Sequence, residues 1–124
     1  ERKPLIEKVK NNNLYDIRKF TSNYEYLTEL SKYRFILCPE GNNFESHRIW
    51  ESLIFNCTPI VRSNMVNTNL FNLGVPLLII DDWSYLNGLT FDDLVNLNQI
   101  NINKEYRKFS TWKYWKELID SKTL

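Results

Sequence analysis

Residues 35–61 read FILCPEGNNFESHRIWESLIFNCTPIV, and this stretch decides the fold. Phe35 to Cys38 form a short apolar run closed by Pro39, the signal of a buried strand. A polar loop follows, with a single glycine at Gly41. Ser46 then stands where a helix needs a side-chain cap, and Ile49, Trp50, Leu53 and Ile54 fall on one face of the helix it would start. Thr58 to Val61 are a second short apolar run just beyond. Strand, loop, helix and strand make a βαβ unit, whose two strands run parallel.

The pattern repeats downstream. The spacing predicts a helix over Asn64 to Phe71, with Met65, Leu70 and Phe71 turned inward and Gly74 at its end. Val75 to Ile80 read as a third strand, with Pro76 near its start where a missing donor is tolerated. Thr90 caps a helix over Phe91 to Leu97, with Asp92 and Asp93 at its positive end. Upstream, Lys3 to Lys10 and Tyr24 to Lys32 read as helices and Leu14 to Ile17 as an edge strand. A last helix is expected from Ser110 through Ile119, with Trp112, Trp115, Leu118 and Ile119 on one stripe. These elements predict an α/β domain of Rossmann-like, three-layer form. Its short parallel sheet has central strands near 35–38, 58–61 and 77–80, with helices on both faces.

The 124 residues suit one domain, and 43% hydrophobic content is enough for a core. A net charge of +1 argues against a polybasic nucleic-acid binder. Residues 41–103 carry two basic and six acidic side chains, whereas 104–124 carry six basic and three acidic. The basic tail suits a partner lobe, a membrane surface or a solvated helix face. Cys38 and Cys57 are too few for a disulfide scaffold and read as buried thiols. No apolar run is long enough to cross a membrane. The sixteen asparagines are scattered, which suits turns, caps and surface.

A parallel unit places the N-terminus of its helix at the carboxyl end of a strand, where open α/β sheets bind anions. Arg48 and Glu51 lie three apart and share a face of that helix. Helix N–H groups and a guanidinium suit a diphosphate, and a carboxylate one turn deeper suits a sugar diol. The same pair also suits an ordinary salt bridge beside a packed tryptophan. Glu40 and Asn42 flank Gly41, which permits close approach of a phosphate. The loop lacks the lysine and serine of a Walker A motif and is not a GxGxxG fingerprint. His47, the single histidine, admits a general base, a ligand contact or a local structural role. Arg62, after the second strand, either approaches a ligand or is solvated. Asp81 and Asp82 suit a cation, a base, or a turn with a helix cap. No metal site and no tightly bound cofactor is expected.

Phe35 to Gly41, then Ser46 to Leu53, then Pro59-Ile60-Val61, with Leu77 to Ile80 and Asp81-Asp82-Trp83, resemble the nucleotide-sugar-binding half of the exostosin-like glycosyltransferases. The similarity covers roughly 50 residues, and its specificity lies in the order of the pieces. It implies the C-terminal, donor-binding lobe of a two-lobed (GT-B type) enzyme that inverts the sugar it transfers. The resemblance further implies that Arg48 and Glu51 hold diphosphate and ribose; by position, Glu40, Gly41, Asn42, Ser46, His47 and Arg62 are the further binding candidates. Two positions depart from the pattern: Asn56 stands where glycine is usual, and Asn43 where a second loop glycine is common. Asparagine accepts the left-handed backbone conformation that glycine would supply.

The expected partners are therefore a nucleotide sugar and a hydroxyl-bearing acceptor such as a glycan. The donor expected from the family is uridine diphosphate-linked; the loosely similar core of fucosyltransferases keeps a guanosine diphosphate donor open. No nucleic-acid partner is expected. The sequence identifies no catalytic base, which in such two-lobed enzymes usually comes from the other lobe. Residues 1–124 are expected to be one nucleotide-sugar-binding domain, a lobe or fragment of a larger transferase that alone transfers sugar poorly. Two alternatives are a non-catalytic sugar- or nucleotide-binding module and an α/β interaction domain in which Arg48 and Glu51 are structural. A complete chain of this kind is expected in the cytoplasm, and a fragment of an anchored enzyme in the secretory-pathway lumen.

Overall fold

The computed structural model describes residues 32–39, 47–111, 113, 116 and 117, with His47 and Ser110 described by their backbone alone. The helices expected over 3–10 and 24–32, the strand over 14–17 and the loop 40–46 lie outside the described residues, as does the apolar stripe of the last helix.

Three short strands form one sheet: β1 (Phe35–Leu37), β2 (Thr58–Arg62) and β3 (Leu78–Ile80). Their order is β1-β2-β3, and both neighbouring pairs are parallel. Phe35 lies opposite Thr58, and Arg62 opposite Ile80. The ladder runs slightly past β1, because the Cys38 N–H donates to the Ile60 carbonyl at 2.9 Å.

Pro59 stands in the central strand, normally a poor place for a residue without an N–H. The register removes the cost. Ser63 N–H donates to the Ile80 carbonyl at 2.7 Å. Moving towards the start of both strands by twos, a donor at position 59 would aim at the carbonyl of Pro76. That carbonyl lies ahead of the start of β3, so no bond of the ladder is lost.

Alternate residues of β2 serve opposite faces. Ile60 packs with Leu78, Ile80, Trp83, Leu86 and Leu94. Val61 packs with Ile49, Leu53, Leu70, Val75, Leu77 and Phe109. The second face is therefore covered by the connecting helices α1 (His47–Ile54) and α2 (Met65–Asn72). Because the strand order advances in one direction, both crossovers lie on one face. The chain beyond β3 covers the other face, first with a 3-10 turn over Trp83–Gly88 and then with α3 (Phe91–Leu97). Phe91 meets Phe35 edge to face at 5.8 Å and 75°, tying α3 to β1. The expectation of a parallel sheet with helices on both faces holds.

Both crossover helices end by the same device. After α1, Asn56 N–H donates to the Leu53 carbonyl and Cys57 N–H to that of Ser52. After α2, Gly74 N–H donates to Phe71 and Val75 N–H to Leu70. Each is a Schellman pairing, and each needs a left-handed residue. Asn56 supplies it at φ 59° and Gly74 at φ 100°. Arg107 Nε adds a bond to the Ile54 carbonyl at 3.0 Å, satisfying another acceptor at the end of α1. The helix over 91–97 begins as read, with a reciprocal capping box: Asp93 N–H to Thr90 Oγ1 at 3.1 Å and Thr90 N–H to Asp93 Oδ2 at 2.9 Å.

Two expectations are corrected. Met65 is 77% exposed rather than turned inward; as the first residue of α2 it precedes the buried stripe, which runs through Asn67 and Leu70. The third strand covers Leu78–Ile80 only. Val75 and Leu77 are buried beside α1 and α2, but the chain bends at Pro76, with Leu77 N–H bonding back to the Val75 carbonyl at 2.9 Å.

Trp83, 1% exposed, fills the face that the crossover helices leave open. Trp83→Ala is expected to cost about 3–5 kcal/mol in urea unfolding. At the end of α1, Asn56→Gly should leave stability within about 0.5 kcal/mol, whereas Asn56→Ala should lose about 1–2 kcal/mol. Equal stabilities for the two Asn56 variants would show that the left-handed cap is not limiting.

Candidate functional site

Parallel pairing brings the carboxyl ends of all three strands to one edge. Cys38 and Pro39 leave β1 there, Arg62 and Ser63 leave β2, and Asp81 and Asp82 leave β3. The N-termini of α1 and α2 lie at the same edge, so the positive ends of both helix dipoles face it.

The first turns of α1 are fixed from beneath. Ser52, fully buried, donates through Oγ to the Arg48 carbonyl at 2.5 Å. Its Oγ lies 4.0 Å from Cys38 Sγ at the end of β1. Cys38, Arg48, Glu51 and Ser52 therefore form one group, close enough that the Arg48 and Glu51 charges both act on the Cys38 thiol. Arg48 and Glu51 are half-buried. Glu51 Oε2 is buried and has no hydrogen-bond partner among the described residues. A desolvated carboxylate oxygen without a donor is costly, and such an atom is an acceptor in want of a ligand hydroxyl or N–H.

Arg62, half-buried, stands at the end of β2. Its carbonyl accepts from Asn67 Nδ2 at 2.9 Å. Asn67 lies in the first turn of α2, whose cap is Asn64 through a 2.7 Å bond from Asn67 N–H to Asn64 Oδ1. Asn67 is 1% exposed, and its Oδ1 is a second buried acceptor with no partner among the described residues. The carboxyl edge thus holds two unmet acceptors, one on each crossover helix.

Asn67 was not legible as a site residue, because one asparagine among sixteen reads as a turn or cap. Its position, five residues after Arg62 and at the third residue of the next helix, is the one signal available. Of the other candidates, Glu40, Gly41, Asn42 and Ser46 lie outside the described residues, and His47 is placed only as the first residue of α1.

Asp82 is occupied locally. Its Oδ1 accepts from Ser84 N–H at 2.8 Å and from Ser84 Oγ at 2.6 Å, capping the 3-10 turn. That is the cap alternative from the sequence. Asp81 is exposed. Among the described residues no group of three or more His, Cys, Asp and Glu side chains could hold a metal ion. Trp83 packs in the core. Both thiols are buried and unpaired with each other; Cys57 Sγ donates to the Tyr33 carbonyl at 2.7 Å.

With the geometry in place, comparison with known families is decisive at the coarse level. The family model described as the RXYLT1 C-terminal domain matches residues 3–122. The chain belongs to that family. The RXYLT1 C-terminal domain is an exostosin-type, glycosyltransferase-related domain, in agreement with the resemblance carried by residues 35–61. No curated protein matches the chain. The family match spans the described sheet and both of its edges.

Burial pushes the Cys38 thiol from its ordinary 9.0 up to about 12; the Ser52 contact and Arg48 act in the opposite direction but are outweighed. Below pH 9 both folded and unfolded chains carry a neutral thiol there, so this contribution to stability is fully present. As pH rises from about 9 towards about 12, the unfolded chain gives up a proton that the folded chain keeps, and stability falls. Urea midpoints measured from about pH 8 to about pH 10.5 should decline less steeply for Cys38→Ala than for the wild type. Identical slopes would mean that the Cys38 thiol is not held neutral by the fold.

Proposed function

We propose that this domain binds the donor of a glycosyltransferase, a nucleoside diphosphate sugar, at the carboxyl edge of its sheet. The observation that carries the reading is the buried, unpartnered Oε2 of Glu51, one turn from Arg48 at the helix end nearest β1. The diphosphate meets the N-terminus of α1, where aligned N–H groups favour negative charge. Arg48 offers a planar fork to two phosphate oxygens. Glu51 accepts from a ribose hydroxyl, which satisfies the orphaned oxygen.

Around that pair, Glu40, Gly41, Asn42, Ser46 and His47 are proposed from the sequence as further contacts to the donor, with Arg62 at the end of β2. Asn67 joins this set, its free Oδ1 suited to a second hydroxyl of the donor. A uridine diphosphate sugar is the donor class proposed, in keeping with the exostosin-type family, for transfer with inversion to a hydroxyl acceptor. The domain acts as one lobe of a two-lobed enzyme. The acceptor and the catalytic base lie with the other lobe.

Calorimetric titration with uridine and guanosine diphosphates tests this. Arg48→Ala should weaken every diphosphate, and Glu51→Ala should weaken ribonucleotides while barely affecting a 2′-deoxy analogue. A charged contact is worth about 1.5–3 kcal/mol, so affinity should fall about ten- to hundredfold. Circular dichroism checks that each variant is folded. Equal binding by wild type and both variants would remove Arg48 and Glu51 from the site.

A further inference from the structure

The amino edge of the sheet, opposite the candidate donor site, carries apolar side chains that the core does not use. Both crossover helices end there, with Ile54 closing α1 and Leu73 following α2. A 3-10 turn over Asn98–Asn101 is pinned to the same edge. Asn98 Nδ2 donates at 3.0 Å to Oγ1 of Thr58, the first residue of β2. Asn101 Nδ2 donates at 3.0 Å to the carbonyl of Leu77, just ahead of β3. Both asparagines are buried, and the residues beside them turn outward: Ile100 is 61% exposed, Ile102 is 67% exposed, and Leu97 is exposed too. Of the eight large hydrophobic side chains exposed among the described residues, these five lie at one edge of the sheet.

Cations rim them. Arg34, exposed just before β1, borders a small pocket together with Ile102. Arg107, also exposed, bonds the Ile54 carbonyl at the end of α1. Lys104, two residues past Ile102, stands 3.8 Å over the Phe71 ring in the last turn of α2. Lys108 is exposed one residue beyond Arg107. The acids are placed elsewhere. Glu51, Asp81 and Asp82 belong to the carboxyl edge and its helix, and Asp92 and Asp93 to the first turn of α3. Between residues 94 and 111, Glu105 is the single acid against three cations.

An exposed apolar side chain standing alone is ordinary, but a cluster rimmed by charge marks an interaction surface. Ile100 and Ile102 protrude, so this edge is convex where they stand. A fluid surface closes round protruding aliphatic tips, whereas a folded partner needs a matching hollow. Aliphatic tips enter the acyl boundary of a bilayer while Lys and Arg stay with anionic headgroups. We propose that the amino edge docks this domain on an anionic lipid bilayer, with Ile100 and Ile102 as apolar anchors and Arg34, Lys104, Arg107 and Lys108 as the charge complement of the headgroups. Docked this way, the carboxyl edge faces away from the bilayer. The inference stands on the amino edge and does not depend on donor binding at the other.

The test is sedimentation of the full chain with vesicles of phosphatidylcholine alone and of phosphatidylcholine with about 30% phosphatidylserine. The anionic vesicles should bind at least about tenfold more tightly than the neutral ones, and less as salt rises from about 0.1 M to about 0.5 M. Ile100→Ser combined with Ile102→Ser should weaken binding about tenfold, and Arg34→Gln about three- to fivefold. Met65→Ser removes an exposed apolar side chain from the opposite edge and should bind as the wild type does. Circular dichroism checks that each variant is folded. The proposal is overturned if neither vesicle binds, if both bind equally, if the isoleucine and Arg34 variants keep wild-type binding, or if Met65→Ser loses as much as they do. Binding of soluble poly-L-glutamate without sedimentation on vesicles would also overturn it, and would give the edge to an acidic polypeptide instead.

Discussion

The structure depends on a central strand that is buried on both faces. Ile60 and Val61 are each 0% exposed, and they point to opposite clusters. A strand in that position needs a parallel neighbour on either side and a layer of side chains above and below. Each parallel neighbour in turn needs a crossover helix, and those helices are α1 and α2. Once both lie on one face, the other must be covered by the chain beyond β3. Trp83, Leu86 and Leu94 do so. The burial of two adjacent residues thus fixes which segments lie on which side.

That logic explains what could be read from sequence. Short apolar runs at 35–38 and 58–61 have few alternatives once a helical stripe separates them, and parallel pairing is the result. Thr90 with Asp93 announced a capped helix, because capping is a local, three-residue chemistry. Asn56 was legible as a left-handed position because asparagine is among the few residues that accept it. The 3-10 turns over Trp83–Gly88 and Asn98–Asn101 were not, since their period gives no amphipathic stripe to detect. Met65 misled for a related reason. Apolar character says that burial is favourable, but the phase of the helix decides whether it happens, and Met65 precedes the phase set by Leu70.

The site was legible where it rests on backbone topology and hidden where it rests on hydrogen-bond accounting. Arg48 and Glu51 follow from a helix placed after a strand. Asn67, Asn98 and Asn101 do not, because their meaning lies in which of their two polar ends is already taken. Asn67 and Asn101 each spend their amide nitrogen on a backbone carbonyl, of Arg62 and of Leu77. Each is left with a buried oxygen that no described group satisfies. No spacing rule reveals that, since the partner of Asn101 is 24 residues away.

The two edges of one sheet consequently offer different chemistry. At the carboxyl edge the helix N-termini, Arg48 and Arg62 all favour negative charge, while Glu51 and Asn67 add acceptors set back from it. Beneath them, burial holds the Cys38 thiol neutral well above its ordinary range, outweighing the pull of Arg48. A thiolate there would lie under the proposed diphosphate and oppose it. At the amino edge no helix N-terminus of a crossover opens, and buried amides tie down a turn that bears exposed isoleucines. Salt acts on the first of these: screening weakens an anion held by guanidinium and helix ends. Raising ionic strength should therefore loosen the nucleoside diphosphate proposed at the carboxyl edge.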